Sequence, residues 1–456
     1  MMDTATAARV VSGRLVGGNV RFARVTTDSR ALQAGDLFVA LRGERFDGHD
    51  FVPAALAQGA AAALVAEERA GGLAGDLVAV ADPQVALQAL AAHWRAQFAL
   101  PLVVVVGSNG KTTVKEMTAS ILRAHYGTDA VLATQGNLNN AIGLPLTLLR
   151  LTAAQRAAVI ELGMNHRGET RELVAVAQPT IVVVNNAQRE HQEFMASVAE
   201  VAAEHADAVA ALPRGGVAVV NADDTHAAVW RAAAVAAGAT VTTFGADADA
   251  DVRVAATLRA DGSDLVLATP QGVVPVALAV PGAHMARNAA AAAAAALAAG
   301  ADLVAVGRGL AAFRAVAGRL VALRTASGAA VLDDTYNANP DSMRAAIDVL
   351  VTLPGTRVLA MGDMGEVGSD GPAFHREIGA YARERGVTRL YATGTLAREA
   401  VAAFGAGATH FADADSLAAA VQAEDRAGTA LLVKGSRFMR MERIVTALTG
   451  TGGGAH

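Results

Sequence analysis

The sequence predicts an α/β protein of three domains: a small α/β domain, a central parallel-sheet domain with an antiparallel meander, and a C-terminal doubly wound domain. Three observations carry that expectation. Short all-apolar runs such as Leu102 to Val106 (LVVVV) alternate with helical stretches, the pattern of a parallel sheet covered on both faces. One of these runs enters a glycine loop that opens a helix. The texture then changes near Asp251 and again near Arg319, and 456 residues hold two to four domains at roughly 100–200 residues each.

The first domain, residues 1–83, contains strand-like pieces such as Asp36 to Leu41 (DLFVAL) and charged turns such as Arg42 to Asp50 (RGERFDGHD). Alternating apolar residues mark the strands and glycine marks the turns. The central domain, residues 84–318, opens with a helical pattern from Gln84 to Phe98. The strand Leu102 to Val106 follows, then the loop Gly107 to Thr113 (GSNGKTT), then a helix from Thr113 to about Tyr126. Buried strands are expected at Ala158 to Glu161, Ile181 to Asn185 and Val217 to Asn221. From Asp251, the runs DVRVAATL, LVLATP and VVPVALAV are separated by Asp261-Gly262 and Gln271-Gly272, which are hairpin signals and predict the meander. Ala289 to Ala299 falls short of the roughly 20 residues that span a bilayer and reads as a buried helix. The third domain, residues 319–456, has expected strands at Ala330 to Asp333, Val358 to Met361, Arg389 to Thr393 and Leu431 to Val433, a Rossmann-like alternation. The glycine-rich tail, Thr449 to His456, is expected to be mobile.

Composition narrows the classes. Hydrophobic residues are 53% and charged residues 18%, which describes a globular chain. Aromatics are 4%, so the core is built of alanine and aliphatic side chains. The net charge is -5 with no block of Lys or Arg, which speaks against nucleic acid as a partner. Cys is absent, which excludes a disulfide, a thiolate metal site and a Cys nucleophile. The segment MMDTATAARVVSGRLVGG lacks the apolar core of a signal peptide, and a cytoplasmic location is expected. No extended apolar stripe demands a partner, so a monomer is expected.

Four places carry chemistry. In the loop, Gly107, Ser108, Asn109 and Gly110 let consecutive N–H groups turn inward on a phosphate, and the helix N-terminus adds positive potential. Lys111 reaches the outer phosphates, and Thr112, followed by Thr113, offers a hydroxyl to Mg²⁺. The spacing departs from GxxxxGK[ST], whose first Gly would fall on Val105; the loop is tighter. Glu161 ends a strand on the side where ligands of open parallel sheets bind, and can hold Mg²⁺; alone it would read as a helix cap or a surface salt bridge. His191 follows another strand of the same sheet, and alone would read as an ordinary satisfied histidine. Asp333-Asp334 ends a strand and precedes TYNANPDS, whose richness in hydrogen-bonding side chains favours a site; alone the turn would read as a helix start capped by Asp341 or Ser342.

Together these residues resemble the Mur ligases of peptidoglycan synthesis, over nearly the whole chain. TTDSR (Thr26 to Arg30) with GDLFVALRGERFDGHDF (Gly35 to Phe51) is similar to a uridine nucleotide-binding domain of that family. GNLNNAIGLPLTLL (Gly136 to Leu149), ELGMNHRGE (Glu161 to Glu169), DDTYNANPDS (Asp333 to Ser342), MGDMGEVG (Met361 to Gly368) and VKGSR (Val433 to Arg437) are similar to its characteristic segments. The resemblance is to the branch that joins D-alanyl-D-alanine to UDP-N-acetylmuramoyl-tripeptide at the expense of ATP, with Mg²⁺. It implies that Lys111 and the loop hold the ATP phosphates, and that Thr112, Glu161 and His191 serve Mg²⁺. Asn288, in GAHMARN, would contact the nucleotide, and Arg319 and Asp334 would reach ATP from the hinge and third domain. Ser29 would hold the uridine nucleotide. Asn137, Asn139 and Asn140, with Asn337 and Asn339 in the polar turn, would border substrate.

The chain departs from the family at one point. Mur ligases commonly carry a carbamylated Lys in the helix after the metal-binding His, and counting from His191 that position falls on His205. No Lys occurs from Glu190 to Pro213. His205 or Glu204 stands in, or the second metal site is built differently. Other readings are weaker. The ligase for the third peptide residue typically carries DNPR, where this chain has YNANP, and folylpolyglutamate synthase lacks the uridine nucleotide domain. A P-loop regulatory or transport NTPase would need no amine acceptor.

Overall fold

The structure is a computed structural model that describes residues 1–450. The end of the tail, residues 451–456, lies outside the described residues; Thr449 closes a helix, Glu442–Thr449, that ends at Gly450.

A nine-stranded sheet organises the centre. Leu102–Val106 is the third strand from one end, between Ile181–Val184 and Ala157–Glu161 and parallel to both. Val131–Ala133 flanks one side, and Val217–Asn221 and Thr240–Gly245 extend the other. Alternation along these strands divides the side chains between two cores, as the period of two requires. Val103, Val105, Val159, Ile181, Val183 and Val219 face one core; Val104, Val106, Ile160, Val182, Val184 and Val220 face the other. The first core holds the helix Lys111–Tyr126 and the alanine-rich helix Ala283–Ala298. Alanine suits that helix because Ala289 to Ala296 are all at most 1% exposed, with a helix and the sheet on either side.

The meander is present and continues the same sheet: Val252–Arg259, Gly262–Thr269 and Gly272–Leu278 pair antiparallel. Each hairpin turns one residue earlier than the Asp-Gly and Gln-Gly pairs suggest. Arg259 pairs with Gly262 and Thr269 with Gly272, so Ala260-Asp261 and Pro270-Gln271 form the two-residue loops.

The first sheet has five strands, in the order Arg14–Val16, Leu77–Val80, Ala62–Ala66, Asp36–Val39, Arg24–Thr26. The last sheet has six: Val321–Arg324, Ala330–Asp334, Thr429–Lys434, Thr356–Met361, Arg389–Thr393, Ala408–Phe411. Its first strand is antiparallel and the rest are parallel. Register sets the site. Glu161 pairs with Val105 and Val184 with Val106, so the loop after Val106, Glu161 and the Asn185-Asn186 pair leave the sheet along one edge. In the last sheet Lys434 pairs with both Asp334 and Met361, and the following turns share one edge too.

Candidate active site

The glycine loop, residues 107–113, is held in shape from below. Ser108 N donates to Asn186 O (3.0 Å), and Asn109 N donates to Asn186 Oδ1 (2.8 Å). Asn185 Nδ2 and Asn186 Nδ2 both donate to Asn109 O, at 2.7 and 3.0 Å. Asn288 Oδ1 accepts from Asn185 Nδ2 (3.0 Å), so Asn288 supports the loop through Asn185. Gly110 sits at φ +82°, and a Cβ there would lie 2.7 Å from Asn185 Nδ2 and from Asn288 Oδ1. The helix starts at Lys111, two residues earlier than the sequence suggests. Gly110→Ala therefore combines left-handed strain with a clash, about 1–3 kcal/mol for the strain alone. ADP affinity measured by calorimetry is expected to fall at least about tenfold.

Lys111 folds back over its own loop. Its Nζ donates to Gly107 O (2.6 Å) and Ser108 O (3.3 Å) and lies 3.3 Å from Glu190 Oε2. Glu190 is 7% exposed. Burial would raise its carboxyl pKa, but the Lys111 ammonium and the imidazoles of His205 and His191 outweigh burial and hold it at about 2.

Glu161, 3% exposed, accepts from Asn139 Nδ2 through Oε1 (2.8 Å), while its Oε2 is buried without a partner. His191 has φ +49°, a left-handed conformation that costs a non-glycine residue and clusters at functional sites. Its Nδ1 lies 2.8 Å from Glu366 Oε2 of the last domain, and Glu366 is itself left-handed at φ +58°. His205, 2% exposed, turns Nε2 toward Glu190 Oε1 at 3.6 Å. Glu204 is engaged elsewhere: its carboxylate accepts from Gly168 N and Thr170 N and so caps the helix Glu169–Ala177. Of the two residues left open by the sequence, His205 is the one that faces the cluster.

These groups fit a hard divalent cation. Unpartnered buried oxygens on Glu161 and Glu190 and the Thr112 hydroxyl are the donors Mg²⁺ prefers. Among the described residues no three His, Asp or Glu form a ready cage. That suits an ion that keeps waters and takes phosphate oxygens.

The third domain closes the cavity, of about 580 Å³, from the opposite side. Asn109 and Asn339 exchange side-chain hydrogen bonds (3.3 and 2.9 Å). Arg189 donates to Asp341 and to Glu377, each at 2.6 Å. Asp334 Oδ2 accepts from Lys434 Nζ (2.6 Å), which also donates to Asn337 O (2.8 Å). The Arg319 guanidinium lies 4.1 Å from the centre of the Tyr336 ring. The helix after the polar turn is Pro340–Leu350. Its cap is Asn339, not Asp341 or Ser342, with Ser342 completing a reciprocal capping box. Asp341 is left for Arg189. Arg189→Ala would strip Asp341 of its cation and leave Glu377 only Arg344, at 3.1 Å, a loss of about 2 kcal/mol or more. The radius of gyration by small-angle scattering is expected to increase as the third domain swings free.

Three family descriptions match the chain: Mur ligase family, catalytic domain, at residues 21–95; Mur ligase middle domain at 105–296; and Mur ligase, glutamate ligase domain, at 318–437. A UDP-N-acetylmuramoyl-tripeptide–D-alanyl-D-alanine ligase of Escherichia coli K12 is 42% identical over 97% of each chain. The chain belongs to the Mur ligase family. Among solved structures, MurF of Acinetobacter baumannii superposes on this Mur ligase with a TM-score of 0.91, at 33% identity over 99% of both chains. MurF of Thermotoga maritima in complex with ADP gives 0.80, at 25% identity over 93% of this chain and 96% of that one.

Of the residues singled out in the sequence of this Mur ligase, those from Ser108 to Thr113, with Glu161, His191, Asn288, Arg319 and Asp334, line the one cavity. Asn137, Asn139, Asn140, Asn337 and Asn339 join them. Gly107 lies behind, its carbonyl under Lys111. Ser29 lies apart, in a short helical turn capped by Asp28. Thr26, Asp28 and Ala31 of that stretch border a second cavity of about 990 Å³, walled by Trp94, Phe98 and Leu138. The segment 135–140 borders both: Gln135 and Leu138 face the second cavity and Asn137, Asn139 and Asn140 the first. Sequence reasoning did not assign Glu190, Lys434 or Glu366, which all line the first cavity. Lys434 had a signal, as a charged residue ending an apolar strand. Glu190 had none, since QREHQE reads as a solvated turn.

Proposed function

We propose that this Mur ligase joins D-alanyl-D-alanine to UDP-N-acetylmuramoyl-tripeptide in the cytoplasm, acting as a monomer and using ATP and Mg²⁺. The observation that carries the reading is that the segment 135–140 borders both cavities, with Gln135 and Leu138 on one and Asn137, Asn139 and Asn140 on the other. A nucleotide-linked peptide seated against Trp94, Phe98 and Leu138 can extend its terminal carboxylate past Asn137 and Asn139 to the phosphate loop. The names of the curated relatives support the same substrates. Residues 1–83 then hold the uridine nucleotide, 84–318 hold ATP, and 319–456 bring the dipeptide.

A carboxylate does not form an amide directly, because oxide is a poor leaving group. Its oxygen therefore attacks the γ-phosphorus of ATP, and ADP leaves. The amine of D-alanyl-D-alanine adds to the acyl phosphate carbon, and phosphate departs from the tetrahedral intermediate as the amine loses its proton. Lys111 and Arg319 stabilise charge on the transferring phosphoryl group, a reaction governed mostly by positioning and electrostatics. Thr112, Glu161 and His191 would hold Mg²⁺, which when bound would neutralise phosphate charge and screen two anions as they approach. Docking of the third domain through Asn339 and Arg189 keeps water from the acyl phosphate.

Release of phosphate is the test. It is expected to require both the nucleotide-linked tripeptide and D-alanyl-D-alanine. Equal release with ATP alone would mark a motor or regulatory NTPase instead.

A further inference from the structure

Glu190 is the buried charge for which the phosphate loop offers no lasting partner. Its Oε1 has no hydrogen bond, and its Oε2 faces Lys111 Nζ at 3.3 Å. Lys111 is a borrowed cation here. A phosphate in the loop would compete for that ammonium, which now donates to Gly107 O and Ser108 O, and without it Glu190, 7% exposed, keeps only the two imidazoles beside it. An isolated buried carboxylate is costly unless paired or bound to a metal. His205 stands behind it with both ring nitrogens lacking a hydrogen bond, Nε2 at 3.6 Å from Glu190 Oε1. His191 Nε2 flanks it at 3.7 Å from Oε2. No lysine lies between Glu190 and Pro213 to supply another acidic arm after modification.

We propose that Glu190 ligates a divalent cation bound with the nucleotide, and that His205 positions the Glu190 carboxylate through Nε2. The pair makes an unmodified carboxylate arm of the metal site, beside Glu161. Glu190 touches the cation; His205 acts through Glu190. The inference rests on the reading that a divalent cation accompanies the nucleotide at this loop.

Mn²⁺ titration of the full chain with ADP present, followed by electron paramagnetic resonance, tests it. Glu190→Gln, close to isosteric, is expected to raise the Mn²⁺ dissociation constant at least about tenfold, and His205→Ala by about the same, as when a metal-supporting group is lost. His205→Gln, which keeps a donor at the end of the side chain, is expected to recover most of the affinity. ADP affinity without metal is not weakened in Glu190→Gln, because Lys111 is then freer to meet phosphate. Mn²⁺ affinity within about twofold of wild type, with metal-free ADP binding altered, would make Glu190 only the counter-ion of Lys111 and overturn the proposal. If Glu190→Gln fails to fold, judged by its melting curve, Glu190→Ala removes the carboxylate altogether; an unchanged Mn²⁺ affinity there overturns the proposal equally. No Mn²⁺ binding by wild type would overturn the underlying metal reading as well, which separates the two failures.

Discussion

Lys111→Ala lowers amide product formation by at least about 10²-fold, the scale of losing one preorganised donor to a developing negative charge. The side chain starts the helix that leaves the loop, and its ammonium already lies among loop carbonyls. It needs only to swing from Gly107 O to reach phosphate. The effect is expected mainly in kcat, because charge spreads over the phosphoryl oxygens as it transfers, whereas backbone N–H groups still bind the ground state. The variant also leaves Glu190 without its nearest cation, so a melting curve belongs beside the kinetics. Near wild-type turnover in a folded Lys111→Ala protein would remove this residue from the reaction.

Lys434→Met is expected to destabilise the third domain by about 3–5 kcal/mol, the cost of leaving one member of a buried ion pair behind. Lys434 has a side chain 3% exposed, and its partner Asp334 is 16% exposed. The two end adjacent parallel strands, and Lys434 also ties down Asn337 O at the start of the polar turn. Urea unfolding followed by circular dichroism measures the loss. Lys434→Met with Asp334→Asn is expected to be less destabilised than Lys434→Met alone, because the stranded charge is gone. Activity should not return with stability, since Asp334 and the turn both border the cavity. Equal stability of Lys434→Met and wild type would show that Asp334 is solvated where the structure buries it.

The sequence made the covered strands legible and left the edges obscure. Leu102–Val106 and Val217–Asn221 are apolar on both faces, and their bounds follow from composition alone. Val321–Arg324 and Ala408–Phe411 lie at the two edges of the last sheet, half-exposed. Their polar residues break the apolar signal that a covered strand provides. The site divides in the same way. Lys111, Glu161 and Asp334 lie at strand ends or in a glycine loop, where local pattern points to a ligand crevice. Glu190 is enclosed by elements outside its own turn: the loop at 107–111, the helix Val198–Ala210 and Glu366 near His191. Nothing in QREHQE encodes that enclosure. The choice between Glu204 and His205 was equally closed to sequence reading. They are consecutive on one helix and both buried, so only the three-dimensional neighbours, Gly168 and Thr170 for one and Glu190 for the other, tell them apart.

The central claim is that the tripeptide carboxylate is phosphorylated in the cavity before the amine attacks. It is tested most directly with a UDP-N-acetylmuramoyl-tripeptide carrying ¹⁸O in both oxygens of its terminal carboxylate. Turnover with ATP and D-alanyl-D-alanine is predicted to release phosphate bearing one ¹⁸O, with the other retained in the new amide. Phosphate free of ¹⁸O, released alongside amide product, would contradict the account.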